Sequence, residues 1–182
     1  MRAQRTAAER PPSWDRGPSA WEGERVRPLT RCQVIDRLPD LGALYAANCG
    51  AENGRTDDLT RDFLWRLSTD LRRPGFGLLI AENTAMTACA YGFPLRRGLF
   101  EIREIIVPRR VRQLSPHLER NLARRLQRRL LADHGRATGV CVVDRSDEWT
   151  LAALRSWGWR DAPHHAYGIP LWSPRCALLL DP

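Results

Sequence analysis

The 182-residue sequence contains no lysine; all 29 of its basic residues are arginine. It holds no apolar run near the roughly 18 residues that a membrane-spanning helix needs. The longest runs are short, such as residues 77–81 and 177–180. The basic N-terminus is not followed by an apolar stretch, so no secretory signal is expected there. There is no C-x-x-C pair. Five cysteines (Cys32, Cys49, Cys89, Cys141, Cys176) are an odd number at wide spacing. They predict reduced, mostly buried thiols in a cytoplasmic protein rather than a disulfide framework. The four histidines do not form metal spacing either. His164 and His165 are adjacent, with no further ligand close by, and a zinc site needs three or four convergent donors. No metal is expected.

What is present is a concentrated charge. The formal net charge is +8. Between residues 108 and 136 nine arginines face two acids, Glu119 and Asp133, a local +7. The rest of the chain is nearly neutral, which argues against a uniformly basic nucleic-acid coat and for one localised anionic partner. Hydrophobic residues make up 43% and there are seven tryptophans, enough for a packed core. Residues 1–24, rich in proline, glycine and mixed charge, read as a flexible tail, and residues 25–182 as a single domain.

The periodicities give an element order. A strand is expected over residues 25–29 and a helix over 38–48. A stronger helix is expected over 57–71, where Leu59, Phe63, Leu64, Leu67 and Leu71 form one face and Asp57 and Asp58 favour the first turn. Residues 76–81 and 86–95 read as paired strands. Residues 99–107 alternate, with Phe100, Ile102, Glu104 and Ile106 on one face and Glu101, Arg103, Ile105 and Val107 on the other. A long helix is expected over 115–133, with Ser115 as N-cap and Pro116 at the first position. A strand over 138–143, a helix over 147–157 stopped by Gly158, and closing strands at 159–162 and 176–180 complete an α/β layer arrangement.

Two signatures in this order resemble the GNAT N-acetyltransferase superfamily. One is the glutamate-bearing strand running into Val107-Pro108, then an arginine-rich loop and a long helix. The other is the segment LAALRSWGW, residues 151–159, which is similar to that family's penultimate helix with its glycine–aromatic ending. The resemblance covers about residues 25–182. It implies an α/β (α+β) fold with a mixed central sheet of six to seven strands flanked by about four helices. It implies acetyl-CoA, or another acyl-CoA, as co-substrate, with no metal, and an amine acceptor. The strand would splay from its neighbour to hold the pantetheine arm. Backbone and side chains at Ile106, Val107, Arg109, Arg110, Arg112, Gln113, Ser115, His117 and Asp147 would contact the cofactor.

This chain departs from the family pattern at two points. Ser115 and His117 stand where the phosphate loop has small residues, and Pro116 lacks an N–H. Phosphate would then be held more by arginine side chains and less by backbone. Register with the glycine–aromatic ending also puts Leu154 where many members carry a tyrosine that protonates the departing thiolate. Tyr167 is the substitute acid the sequence offers.

By the same resemblance, acyl transfer is direct, without a covalent enzyme intermediate. It needs a base and an oxyanion donor. Glu104 and Glu101 are the candidate bases, with burial among Ile102 and Ile105 expected to raise a carboxyl pKa. The Val107 N–H is the candidate donor. Alternatives remain at this stage. The two glutamates pair with Arg103 or a helix arginine; the helix arginines form a solvated face; or the chain is a GNAT-like binding or regulatory module without catalysis. Residues 115–133 hold no aromatic residue, which disfavours single-stranded nucleic acid. No membrane partner is expected, and an exposed final strand would suit pairing across a homodimer.

Overall fold

Thr30 opens the first helix. Its hydroxyl accepts from the Gln33 N–H at 3.3 Å, and the Gln33 side chain accepts from the Thr30 N–H at 3.0 Å, a reciprocal cap. The computed structural model describes residues 24–49, 56–96, 98–108, 121–135, 137–163 and 173–181. Within them β1 is Arg25–Leu29, α1 Arg31–Asp36, α2 Leu38–Cys49 and α3 Thr56–Asp70. Strands β2 (Gly77–Glu82), β3 (Met86–Pro94) and β4 (Leu99–Ile106) follow, then α4 (Leu122–Asp133) and β5 (Thr138–Asp144). The described chain ends with α5 (Glu148–Ser156), β6 (Arg160–Asp161) and β7 (Arg175–Leu180). Helix α1 is the element the periodicity missed.

The seven strands form one mixed sheet in the order β1-β2-β3-β4-β5-β7-β6. Pairing is antiparallel from β1 to β4, parallel between β4 and β5, and antiparallel again beyond. Alternate residues of β2 and β3 send side chains to opposite faces. Leu78, Ile80, Cys89 and Tyr91 pack against α1–α3 through Val34, Leu41, Phe63 and Leu67. Leu79, Ala81, Ala88 and Ala90 pack against α4 and α5 through Leu126, Leu130, Leu151 and Leu154. β7 lies between β5 and β6, which pairs with it at Leu178 and Leu179, so the final strand is not the outermost of the sheet.

Two expectations are corrected by local chemistry. First, α4 does not run unbroken from Ser115. Asn121 is extended (φ −68°, ψ 117°), and its side-chain oxygen accepts from the N–H groups of Ala123 (2.9 Å) and Arg124 (3.4 Å). An asparagine that satisfies these donors starts the helix where it stands. Second, β4 does not alternate throughout. Tyr91 pairs with Glu104 and Gly92 with Ile102, so Arg103 is an extra residue in a bulge. After it the faces switch. Phe100, Ile102, Ile105 and Val107 all join the α4–α5 core. Arg103 and Glu104 both reach partners on α3, at Asp70 and Arg66.

Gly92 permits the bulge. A Cβ there would lie 2.0 Å from the Glu101 carbonyl oxygen. On the other face, Gln127 ties α4 to α5. It is fully buried, donates to the Trp157 carbonyl at 3.0 Å and accepts from the Trp159 indole at 2.9 Å.

Candidate active site

Strands β4 and β5 pair at only three positions: Leu99 with Thr138, Phe100 with Gly139 and Glu101 with Val140. Beyond Glu101 they part, and the sides of β4 and β5 that face each other make no ladder bonds. The result is a cleft of about 250 Å³. Residues 102–105 of β4 form one wall and residues 141–144 of β5 the other, and α5 roofs it with Thr150, Ala153, Leu154 and Trp157.

Helix α5 is set over the gap by its ends. Asp147 caps it by accepting from the Thr150 N–H at 3.0 Å, and Gly158, at φ +102°, turns the chain away. Asp147 lines the cleft, with one carboxylate oxygen engaged in the cap. Leu154 faces the cleft, so the position expected to carry an acid carries a methyl-terminated side chain.

Glu104 lines the cleft from β4 and lies 3.8 Å from the Arg66 guanidinium of α3, both side chains partly exposed. Glu101 accepts from Arg103 at 2.9 Å, and Arg103 also donates to the buried Asp70 at 3.2 Å, which accepts from Arg73 at 3.0 Å. The expected burial of the two glutamates among isoleucines is thus replaced by ion pairing. The bulge at Arg103 turns Glu104 to the α3 face while Ile102 and Ile105 go to the other. Ile106, the last residue of β4, and Val107 just after it are fully buried.

The electrostatics follow from this row of charges. Burial pulls Arg103 down, but its bonds to Glu101 and Asp70 outweigh that and hold it above the usual arginine range. Burial, reinforced by the Glu104 and Asp70 carboxylates, pushes the Tyr91 phenol up. The Cys141 thiol is pushed up to about 12, first by burial and then by Glu104 and Glu101. A thiol so protonated is no nucleophile at neutral pH. Among the described residues no group of three or more His, Cys, Asp or Glu could hold a metal ion. No described helix is long and apolar enough to cross a membrane.

The positive segment divides. Arg109, Arg110, Arg112, Gln113, Ser115, His117 and Tyr167 lie outside the described residues. On α4, Arg125 donates to the Glu24 carbonyl at 3.1 Å and Arg129 pairs with Asp133 at 2.7 Å. Arg124 and Arg128 line a separate groove beside Trp157 and Asp181. Sequence reasoning missed Arg66 and Asp70. Their positions three and seven residues after Phe63 on the buried face of α3 were the available signal.

By sequence the chain matches no family model and no curated protein. By structure it is similar to the PaiA N-acetyltransferase of Thermoplasma acidophilum, solved with coenzyme A. The TM-score is 0.61 at 10% identity, covering 87% of this chain and 99% of that one. It is also similar to a GNAT family acetyltransferase from Elizabethkingia anophelis with acetyl-CoA bound, with TM-score 0.54 at 13% identity over 88% and 99% of the two chains. An acetyltransferase from Streptococcus agalactiae gives a TM-score of 0.56 at 11% identity over 88% and 99%. The parted β4 and β5, the bulge within the parted stretch of β4 and the capped helix above it thus belong to a chain with the fold of the GNAT N-acetyltransferases.

Proposed function

We propose that this protein is an acyl-CoA-dependent N-acyltransferase that moves an acetyl group directly from acetyl-CoA to an amine. The observation that carries this is the gap between β4 and β5 with Glu104 on its wall. An extended arm bearing amides can add to the unpaired strand backbone there as a further strand would. Its thioester then lies beside Glu104. An amine arriving from the α3 side attacks the thioester carbonyl, Glu104 accepts the amine proton, the C–N bond forms and the C–S bond breaks. Sulfur leaves as thiolate and takes up the proton that the amine gave, since Leu154 has none to supply. Oxygen charge in the intermediate is met by main-chain N–H groups at the end of β4, with Val107 the candidate. Tyr167 is the alternative donor of that proton to the sulfur.

The cofactor phosphates fall to the arginines before α4. The Asn121 cap supports this, because it already occupies the N–H groups of Ala123 and Arg124, donors a phosphate at a helix N-terminus would otherwise use. Arg109, Arg110 and Arg112 with Ser115 take their place. A binding module without catalysis is the second reading, favoured by that same cap and by Leu154. Free-thiol release from acetyl-CoA with a panel of amines separates the two. Turnover that disappears in Glu104→Gln supports the enzyme. Acetyl-CoA binding by calorimetry without turnover supports the module, and absence of both refutes the acyl-CoA reading.

A further inference from the structure

Along the α3 face of β4 the charges are not held alike. Asp70, 2% exposed, accepts from Arg73 at 3.0 Å and Arg103 at 3.2 Å, and Arg103 donates to Glu101 at 2.9 Å. These are charge-assisted hydrogen bonds. Arg66 and Glu104 approach only to 3.8 Å, beyond hydrogen-bond reach, with side chains 37% and 26% exposed. Among the described residues the Arg66 guanidinium donates no hydrogen bond. Its five N–H groups and fixed charge are therefore available, beside the cleft wall, to a group that arrives with an acceptor.

We propose that the amine acceptor is a zwitterion of the α-amino acid class, its ammonium at Glu104 and its carboxylate on Arg66. This rests on Glu104 being the base, as proposed above. The match is one of charge order. A negative and a positive side chain stand side by side, and an α-amino acid carries the opposite pair on one carbon. Its carboxylate gives the Arg66 guanidinium a charge-assisted contact in a forked geometry, and its ammonium joins the contacts Glu104 already has. The surroundings select a monoanion. Arg73 and Arg103 are engaged by Asp70 and Glu101, so among the described residues a phosphate here would meet Arg66 and the charge of three carboxylates.

The test compares matched acceptors: phenylalanine with phenethylamine, arginine with agmatine, and histidine with histamine. Each is assayed with acetyl-CoA and the full chain, by thiol release. The ratio of kcat/KM within each pair is read rather than the rate, so a general loss of activity in a variant does not distort it. In the wild type the amino acid of at least one pair is expected to lead by about tenfold or more, the size of one charge-assisted hydrogen bond. In Arg66→Gln the lead falls to within about twofold, through KM. Decarboxylated amines that match or exceed the amino acids in every pair overturn the proposal, as does a lead that survives Arg66→Gln. The same pairs are also titrated without acyl-CoA by ligand-observed NMR. Amino-acid binding that depends on Arg66 in a protein that transfers no acyl group supports the anchoring and refutes the transferase reading. No Arg66-dependent binding and no lead in turnover refute the anchoring alone.

Discussion

Replacing Gly92 with alanine should both unfold the sheet locally and disarm the cleft. The new methyl would sit 2.0 Å from the Glu101 carbonyl oxygen and 2.7 Å from the Phe100 ring. Carbon and oxygen in neighbouring strands normally stay about 3.3 Å or more apart. Strands β3 and β4 must therefore separate by roughly 1.3 Å at this point. Overpacking of this kind costs about 1–3 kcal/mol. The ladder bonds flanking the bulge, around the Phe93–Glu101 and Tyr91–Glu104 pairs, add about 1 kcal/mol for each one broken. A total of about 3 kcal/mol follows, or a fall in Tm of about 6–12 °C at ~2–4 °C per kcal/mol for a chain this size. Gly98→Ala is the control. Gly98 has φ +73° but no atom within 4 Å of its added Cβ, so only the left-handed backbone is penalised, by about 1–2 kcal/mol. Urea unfolding reads both variants through their midpoints at constant slope. If Gly92→Ala is no less stable than Gly98→Ala, the close approach does not set the bulge and the placement of Glu104 needs another cause.

Two further outcomes are expected. Glu24 is buried and its carboxyl is raised above its ordinary 4.5, chiefly by desolvation, with Thr87 and Arg125 opposing. A raised folded value means that its contribution favours the fold fully below 4.5 and is lost as pH rises through the folded pKa. Glu24→Gln should thus be more stable than wild type at pH 8 and indistinguishable near pH 4 in denaturant melts; a less stable variant at pH 8 contradicts this. Gln127→Leu keeps the volume but leaves the Trp157 carbonyl and the Trp159 indole N–H without partners, at about 1–3 kcal/mol each. Guanidinium melts check it, and an unchanged midpoint would show that the amide bridge contributes nothing.

The elements legible in the sequence are those whose causes are local. Helix α3 shows its buried face through Phe63 and Leu67, and α5 its cap and stop through Asp147 and Gly158. The capping box of α1 was equally local, in Thr30 and Gln33, but lay in too short a segment for periodicity to reveal. Where two local signals competed, at Ser115-Pro116 and Asn121, only the structure shows that Asn121 begins the described helix. The site was legible in part for the same reason. Glu104 and Leu154 stand out in their own segments, and both line the cleft. Which face Glu104 takes depends on a glycine in β3, twelve residues earlier, and its neighbour Arg66 comes from another layer. Such pairings arise only when the strands and α3 are packed together.

The parting of β4 and β5 also bears on how the sheet avoids joining other sheets. Its outer rims are blunted: β1 carries Pro28 between arginines at 25 and 27 and a buried leucine, and β6 is two residues long. A foreign strand finds little there to extend. Among the described residues the inviting backbone is turned inward, where β4 and β5 face each other under α5. Anything that would lengthen the sheet at that point must be thin enough to pass beneath a helix. The feature that opens a cleft thus also keeps this unpaired strand backbone under α5, away from the sheet's outer rims.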